Sequence, residues 1–560
     1  MELLERHFEI ALETPDGIKK LRELILSLAM QGKLVPQDPN DQPASELLKE
    51  IKADKKKQIK DGKIKKKEPL PPIKPEEIPY EVPKGWEWTQ LDILGEINPR
   101  NNVDDEVLAA FVPMPMIFAE YGKIHSFEVK KWSKIKKGYT HFAENDVVLA
   151  KITPCFENGK SSVMKKLPNG VGAGTTELHV YRNSFKKMCP EYILAFFKSP
   201  RFISNGIPKM TGSAGQKRVP KEYFSCSPFP LPPLAEQKRI VTKIDQLIAL
   251  CDKLEAERNE RNQKLLTIHT AAMNSFLSAP DGTAFNTSWG FITSNFGELY
   301  SVPENVGELK KAILQLAVMG KLVPQDPNDQ PVSELLKEIE AEKKKLIEEG
   351  KIKKQQLLPP IKPEEIPHEV PKGWKWVRLN DYGTWKSGST PSRSNSSYYG
   401  GEIPWVKSGE VKQGRIVETS ETITQTAVES CPLVINPIGS ILIAMYGANI
   451  GDVGILEIEA ATNQAVCACK TYSSIYNIFL YQLLQSLKLN FISQGAGAAQ
   501  PNISREKIIN KLVPLPPLAE QKRIVAKINQ LMELCNSLEQ QLKYSTEKQT
   551  AILNAVLAKV

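Results

Sequence analysis

Two apolar stripes with one step pattern stand out along the chain. The first runs through Ile240, Ile244, Leu247, Cys251 and Leu254, the second through Ile524, Ile528, Leu531, Cys535, Leu538 and Leu542. Steps alternating between four and three residues put each stripe along a single helix seam, as in a coiled coil. Both stripes follow the same twelve residues, PLPPLAEQKRIV, at 230–241 and 514–525. The prolines bar a helix at first, and Ala-Glu-Gln then sets an acid in the first turn, at the positive end of the helix dipole. Since the seams hold equivalent places in a repeat, they are expected to pack on each other. Ala235 to Leu277 is 43 residues, so an unbroken helix there would span about 65 Å. Arg258 and Arg261 interrupt the apolar register before Leu265, Ile268 and Ala272 resume it, which predicts a bend or a polar partner at that point.

The helical period also marks the start of the chain. Ile18, Leu21, Leu24, Ile25 and Leu28 form one face of an amphipathic helix, with Thr14 expected as its N-cap, Pro15 at its first position and Gly32 as its stop. A turn-rich stretch, 32–43, leads to a second helix near Ser45 and then to two lysine runs, Lys55–Lys57 and Lys63–Lys67. A proline-rich strap, 70–79, ends in Pro83-Lys84-Gly85-Trp86. All of this returns 288 positions later: Gly32 becomes Gly320, Trp86 becomes Trp374, and the helix face becomes Val306, Leu309, Ala312, Ile313 and Leu316. The PLPPLAEQKRIV helix returns at an offset of 284. The chain is therefore one half-molecule written twice, which predicts a pseudo-twofold internal repeat. The flanking regions are near-identical, whereas the middle segments, about 87–229 and 375–513, differ in their letters.

These middle segments share a rhythm. Asp146–Ile152 and Ser440–Met445 are β-favouring runs, as are the shorter Thr176–Val180 and Asn463–Cys467. Helices carrying Tyr192, Leu194, Phe196 and Phe197, and Phe479, Tyr481, Leu483 and Leu484, come next. Each segment then has a glycine-rich loop, 211–218 and 494–502. Two compact mixed α/β modules are expected.

Length and charge narrow the picture. A chain of 560 residues exceeds one ordinary core, so several domains are expected. A formal charge of +9 from 74 Lys+Arg favours a polyanionic partner. Mean hydropathy is −0.32, no stretch approaches the ~18 apolar residues of a membrane span, and the first residues lack the basic start of a secretory signal. A soluble cytoplasmic protein is expected. Most candidate chemistry falls away on inspection. Gly159-Lys160-Ser161 resembles the end of a phosphate-binding loop, but Pro154 stands where that loop requires glycine. Cys467 and Cys469 share a strand face without a second ligand pair at zinc-like spacing. The six histidines are isolated, and no adenine-methyltransferase or nucleophile-elbow motif occurs. Neither a catalytic residue nor a metal site is expected.

What remains is the loops of the middle segments. Glycine lets backbone approach a polyanion, and Lys, Arg, Ser, Thr, Asn and Gln are the side chains that contact phosphates and base edges. The first segment offers Lys151, Thr153, Asn158, Lys160, Ser213, Gln216, Lys217 and Arg218. The second offers Ser387, Gly388, Ser389, Thr390, Arg393, Tyr398, Tyr399, Tyr446, Asn449, Asn463, Gln494, Gln500, Asn502 and Arg505. Singly, each also fits a solvated loop residue; taken as whole loops, they are expected to contact DNA. Two rival classes are a purely protein-binding scaffold, which predicts no basic bias in these loops, and a catalytic nuclease or methyltransferase, which the missing motifs oppose.

The repeated AMQGKLVPQDPNDQP, LPPIKPEEIP…PKGW and PLPPLAEQKRIV, with LAKITPCFENGK in the first middle segment and GSTPSRS…IPWV…IAMYGANIG…ATNQAV…QPNIS in the second, resemble the specificity (S) subunit of type I restriction–modification systems. The resemblance covers essentially the whole chain. It implies an α+β fold: two mixed α/β target recognition domains separated by a pair of long antiparallel coiled-coil helices. The corresponding divisions are 1–86, a first target recognition domain at 87–229, a spacer helix at 230–278, a linker at 279–306, the second helical and proline-rich region at 307–374, a second target recognition domain at 375–513 and a second spacer helix at 514–560. Each domain would read one half of a bipartite site in double-stranded DNA, and the frame would dock two modification (M) subunits. In such systems the M subunits carry S-adenosylmethionine and methylate adenine N6, while restriction (R) subunits add cleavage driven by ATP and Mg; the chain itself would hold no cofactor. The Lys55–Lys67 stretch fits a solvated face, a DNA contact or an M-subunit contact equally.

Overall fold

The structure is a computed structural model and describes residues 13–62, 70–213, 215–353, 358–495 and 502–557. Gln500 and the second lysine run, 63–67, lie outside the described residues. The longer helices among the described residues are α1 (Gly17–Met30), α2 (Ala44–Lys60), α3 (Pro190–Lys198), α4 (Leu234–Leu277), α5 (Gly282–Ser294), α6 (Pro303–Val318), α7 (Val332–Glu348), α8 (Asn477–Ser486) and α9 (Leu518–Leu557). The chain divides into two compact units, residues 1–260 with 545–560, and residues 261–544. Each unit thus holds the start of one long helix and the end of the other. The boundary in α4 falls at Glu260 and Arg261, inside the polar interruption of its stripe. Arg258 there donates to the Thr14 carbonyl at 3.0 Å, the polar partner that the broken register predicts.

Within the first unit, Ile240, Ile244 and Cys251 are buried in one cluster with Ile18, Leu21 and Ile25 of α1 and with Leu553 and Val556 from the end of α9; Leu247 and Leu254 pack against it. In the second unit, Ile524, Ile528 and Cys535 are buried with Val306 and Ile313 of α6 and with Met273 and Phe276 from the end of α4; Leu531, Leu538 and Leu542 pack against them. The two long helices pair antiparallel as expected, the start of each with the end of the other. What is corrected is the register, since the two seams lie in separate clusters rather than on each other. The seam of each helix is taken up inside its own unit, by the repeated amphipathic helix and by the far end of the other long helix. Two further expectations change. Thr14 is not the N-cap of α1: Asp16 holds that place, without a side-chain hydrogen bond. The stretch 279–306 is helical rather than a linker. Asp281 caps α5 by accepting from the Ala284 N–H at 2.8 Å, and Ile292, Leu299 and Tyr300 are buried.

The middle segments are closed excursions from this frame. In the first, β1 (Glu87–Gln90) pairs antiparallel with β10 (Pro228–Leu231), so the domain's two ends meet. Between them lie β2 (Glu96–Ile97), β3 (Leu108–Val112), β4 (Glu128–Lys131), β5 (Thr140–Ala143), β6 (Val147–Ala150), β7 (Ser161–Val163), β8 (Val171–Gly174) and β9 (Leu178–Arg182). They form two sheets, in the orders β2-β9-β6-β7 and β4-β3-β8-β5. The second segment repeats the clasp with β11 (Lys375–Arg378) against a final strand at Leu512–Leu515. Inside it are β12 (Gly383–Ser387), β13 (Tyr399–Val406), β14 (Arg415–Ile416), β15 (Thr422–Ile423), β16 (Ile441–Ala444), β17 (Val453–Leu456), β18 (Ala461–Thr462) and β19 (Val466–Thr471), in the orders β12-β19-β16-β17-β14 and β15-β13-β18. The two domains share the core of their strand order and a parallel pairing, β3 with β8 and β13 with β18. The second domain adds β14, parallel to β17 at the sheet edge, and has three strands rather than four in its smaller sheet.

The repeated letters explain how each domain is fixed to its frame. Glu236, almost fully buried, accepts from the Trp86 indole N–H at 3.0 Å and the Gln37 amide at 3.1 Å. Glu520 accepts in the same way from Trp374 at 2.8 Å and Gln325 at 3.1 Å. Burial pushes both carboxyls above the usual carboxylate range, and these hydrogen bonds oppose the shift. The next residue, Gln237, accepts from the Cys189 N–H at 2.9 Å at the start of α3, as Gln521 does from Tyr476 at 2.8 Å before α8. Arg239 then grips Asp41 through both terminal nitrogens, the closer contact being 2.6 Å; Arg523 grips Asp329 likewise. Gly32, at φ +69°, lies so close beneath the strap that a Cβ there would sit 2.3 Å from Pro83. Gly320 has the same relation to Pro371. A single lock, built twice, ties strap, long helix and domain together.

Candidate nucleic-acid interface

In the first domain, strand β6 runs out into Lys151-Ile152-Thr153, and the segment leading back to the frame supplies Lys217-Arg218-Val219. The two are stitched by backbone. The Val219 N–H donates to the Lys151 carbonyl at 2.8 Å, the Thr153 N–H to the Lys217 carbonyl at 2.9 Å, and the Lys217 N–H to the Thr153 hydroxyl at 3.1 Å. Arg218 also closes its own hairpin, exchanging bonds of 2.8 and 3.0 Å with Thr211. The structure thus brings Lys151, Thr153, Gln216, Lys217 and Arg218, which the sequence reading collected from two distant loops, onto one surface. Ser213 shares the hairpin and accepts from the Gln216 N–H at 3.0 Å. Asn158 and Lys160 belong to the turn that follows Thr153; Asn158 is exposed and Lys160 half-buried.

Beneath this surface His179 is buried and stacked on Phe224, with ring centroids 5.0 Å apart. Its Nε2 lies 3.1 Å from the Val219 carbonyl. A carbonyl only accepts, so Nε2 carries the proton, and Nδ1 is left to accept from Asn98 at 3.4 Å. Burial lowers the imidazole pKa to about 4. Lys198, also buried, donates to the carbonyls of Ala119 at 2.8 Å, Gly159 at 3.0 Å and Phe118 at 3.2 Å, tying the turn after Thr153 to the preceding loop. Burial lowers its pKa to about 7.

The second domain repeats the stitch with other letters. Strand β16 runs out into Met445-Tyr446, the Ile503 N–H donates to the Met445 carbonyl at 2.9 Å, and Tyr446 bridges Asn502. Both Tyr446 and Asn502 are exposed. Ser387, Gly388, Ser389 and Thr390 form a second edge alongside Asn463. Gly388 donates to Val466 and Ser389 to Thr462, both at 3.0 Å, and Thr390 is hydrogen-bonded to Gln464. A Cβ on Gly388 would fall 2.1 Å from the Thr462 carbonyl, so only glycine allows this approach. Asn449 follows Tyr446 in a short turn. Arg505 opens a helical turn capped by the Ser504 hydroxyl, which accepts from Lys507 at 3.2 Å.

Other expected contacts are engaged elsewhere. Arg393 forms an ion pair with Glu421 at 2.8 Å and lies over the rings of Tyr399 and Trp405, 4.5 and 5.3 Å from their centroids. Tyr399 donates to the Pro391 carbonyl at 2.6 Å. Tyr398 holds Thr424 through its carbonyl at 3.0 Å. Gln494 turns back to Asn490 at 3.0 Å. Lys55 donates to the Asp92 carbonyl, so one lysine of the basic stretch serves the fold. Glu177 was not singled out by sequence: its carboxylate holds Arg218 through Nε and Nη2, both at 2.8 Å. An acid among basic loop residues carries no periodic or motif signal.

Two domains of related strand order, exposing unlike polar loops on a duplicated helical frame, define a two-module recognition protein. The chain belongs to the family described as type I restriction modification DNA specificity domain, whose model matches twice, at residues 83–262 and 371–548. It is 43% identical over 558 residues to the Type I restriction enzyme EcoAI specificity subunit of Escherichia coli, covering 96% of this chain and 93% of that one. It is 40% identical over 562 residues to the EcoEI specificity subunit of the same organism, with the same coverage. Among solved structures, the HsdS subunit from Thermoanaerobacter tengcongensis matches over 86% of this chain and 98% of that one, with 20% identity and a TM-score of 0.44. Among the described residues no helix is long and apolar enough to cross a membrane.

Proposed function

We propose that this chain is the specificity subunit of a type I restriction–modification complex acting in the cytoplasm. Each domain reads one half of a bipartite site in double-stranded DNA, and the frame docks two modification subunits; restriction subunits join the full complex. The observation that carries the reading is the contrast within the repeat. The frame lock of Trp86, Glu236, Gln37 and Arg239 recurs contact for contact, while the loops at equivalent places of the two domains differ, Arg218 against Asn502 and Ile152 against Tyr446. A duplicated frame suits two copies of one partner. Unlike loops suit two unlike half-sites. The chain is not itself the catalyst: S-adenosylmethionine, ATP and Mg belong to the partner subunits. Lysines of the exposed loops add affinity that weakens with salt.

The test is selection of bound DNA from a randomised library by the full chain co-purified with its modification subunits. Two short sequences at a fixed separation are expected. A single motif, or no enrichment, would overturn the reading.

A further inference from the structure

We infer that Arg218, held by Glu177, is the side chain with which the first domain reads a guanine, an assignment that rests on the DNA-recognition reading above. A guanidinium has five N–H donors. In Arg218, Nε and one N–H of Nη2 are committed to the Glu177 carboxylate, and one N–H of Nη1 to the Gln216 carbonyl at 3.0 Å. One N–H remains on each terminal nitrogen. Two donors on a planar fork match the O6 and N7 acceptors that guanine alone presents side by side in the major groove. The Arg218 side chain is 42% exposed, so the fork is accessible, and the carboxylate behind it is only 22% exposed. Holding the fork in advance spares much of the side-chain entropy that a free arginine would lose on contact.

The bland alternative is that the ion pair staples the hairpin. Three observations oppose it. The hairpin is already closed by the two backbone bonds between Thr211 and Arg218 and stitched to Lys151 and Thr153 by three more, and an ion pair this exposed adds little stability. The second domain makes the same stitch without the pair. There Met445 donates to the Ala465 carbonyl at 2.8 Å as Lys151 donates to that of Glu177 at 2.9 Å, so Ala465 occupies the place of Glu177, and Asn502 that of Arg218. Both members of the pair are thus absent together where the fold is kept and the half-site must differ. Glu177 does not touch DNA in this account; it is a positioning residue.

The test uses the full chain with its modification subunits and the site found by selection. Replacing each guanine of the site in turn by 7-deazaguanine removes only the N7 acceptor. For the unmodified protein, one position in one half-site is expected to lose affinity by about fivefold or more. Arg218→Ala and Arg218→Lys are expected to lose the preference for G·C at that pair, by about tenfold or more, and to become indifferent to the 7-deaza substitution there, with the other half-site read as before. Glu177→Gln is expected to weaken discrimination at the same pair while changing total affinity less. Uniform weakening across all bases would show that Arg218 contacts phosphate, and a changed preference at an A·T pair would show that it reads another base; either result overturns the inference and leaves the bipartite reading intact. Failure of the unmodified complex to select any sequence would overturn both. The deaza scan needs no variant, so a misfolded mutant would not obscure the result.

Discussion

His179 shows how a buried residue supports the surface above it. Its neutral ring donates to the Val219 carbonyl, and Val219 in turn is bonded to Lys151. Its folded pKa of about 4 lies below the ordinary value of 6.5. As pH falls below about 6.5 the unfolded chain binds a proton that the folded chain refuses, so stability present above 6.5 is lost progressively down to about 4 and no further below it. The full shift corresponds to about 3 kcal/mol. Thermal unfolding of the first unit is therefore expected to weaken more steeply between pH 6.5 and 4 in the native protein than in His179→Gln; equal slopes would contradict this account. At this scale the sequence was half legible. Glycine, lysine and amide side chains marked the loops of both domains, and Lys151, Thr153, Lys217 and Arg218 do meet. Their partners were not visible, because His179 and Glu177 act through contacts between segments 40 or more residues apart.

At the scale of elements, periodicity proved a sound guide to what is buried and a poor one to what buries it. Alternating steps identified α4 and α9, and the seam residues Ile240, Ile244, Ile524 and Ile528 are fully covered. A stripe carries no mark of its partner, however, and here the partners are the repeated amphipathic helix of the same unit and the far end of the other long helix, rather than the equivalent seam. The repeated motifs were legible as a duplication while their cause was hidden, since Trp86 and Glu236 are 150 residues apart. The lock gives a direct expectation. Trp86→Phe keeps an aromatic ring but removes the N–H and part of the buried indole. One carboxylate oxygen of Glu236 is left without its donor, at about 1–3 kcal/mol, together with a small cavity beside Gly32 that adds to the cost. Because Trp374 and Glu520 repeat the geometry, Trp374→Phe is expected to cost the second unit a similar amount. Urea unfolding monitored in each unit would check this, while DNA selection should return unchanged half-site sequences. A loss confined to one unit's variant would show that the two locks are not equivalent in energy.

For the whole molecule, the consequential fact is that both long helices pass from one unit to the other, α4 at Glu260 and Arg261 and α9 at Tyr544 and Ser545. On the proposal that the two helices together set the gap between the half-sites, that gap is changed by lengthening both. Seven residues inserted after Glu260 and seven after Tyr544 add about 10 Å to each helix and nearly preserve the buried face, with a drift of about 20°. The insertions lie away from both locks and from every loop, so each domain keeps its own chemistry. On B-DNA, about 10 Å corresponds to roughly three base pairs. Three base pairs also rotate one half-site about the duplex by roughly 100°, since a full turn takes 10–10.5 base pairs. The lengthened protein is therefore expected to select the same two half-sites at a gap about three base pairs longer, with weaker affinity, because the small drift of the helix face does not supply that rotation. The measurement is selection from a library in which the native half-sites are separated by every gap across one helical turn. An unchanged preferred gap would show that the helices do not set the spacing, and altered half-site sequences would show that they take part in reading the bases.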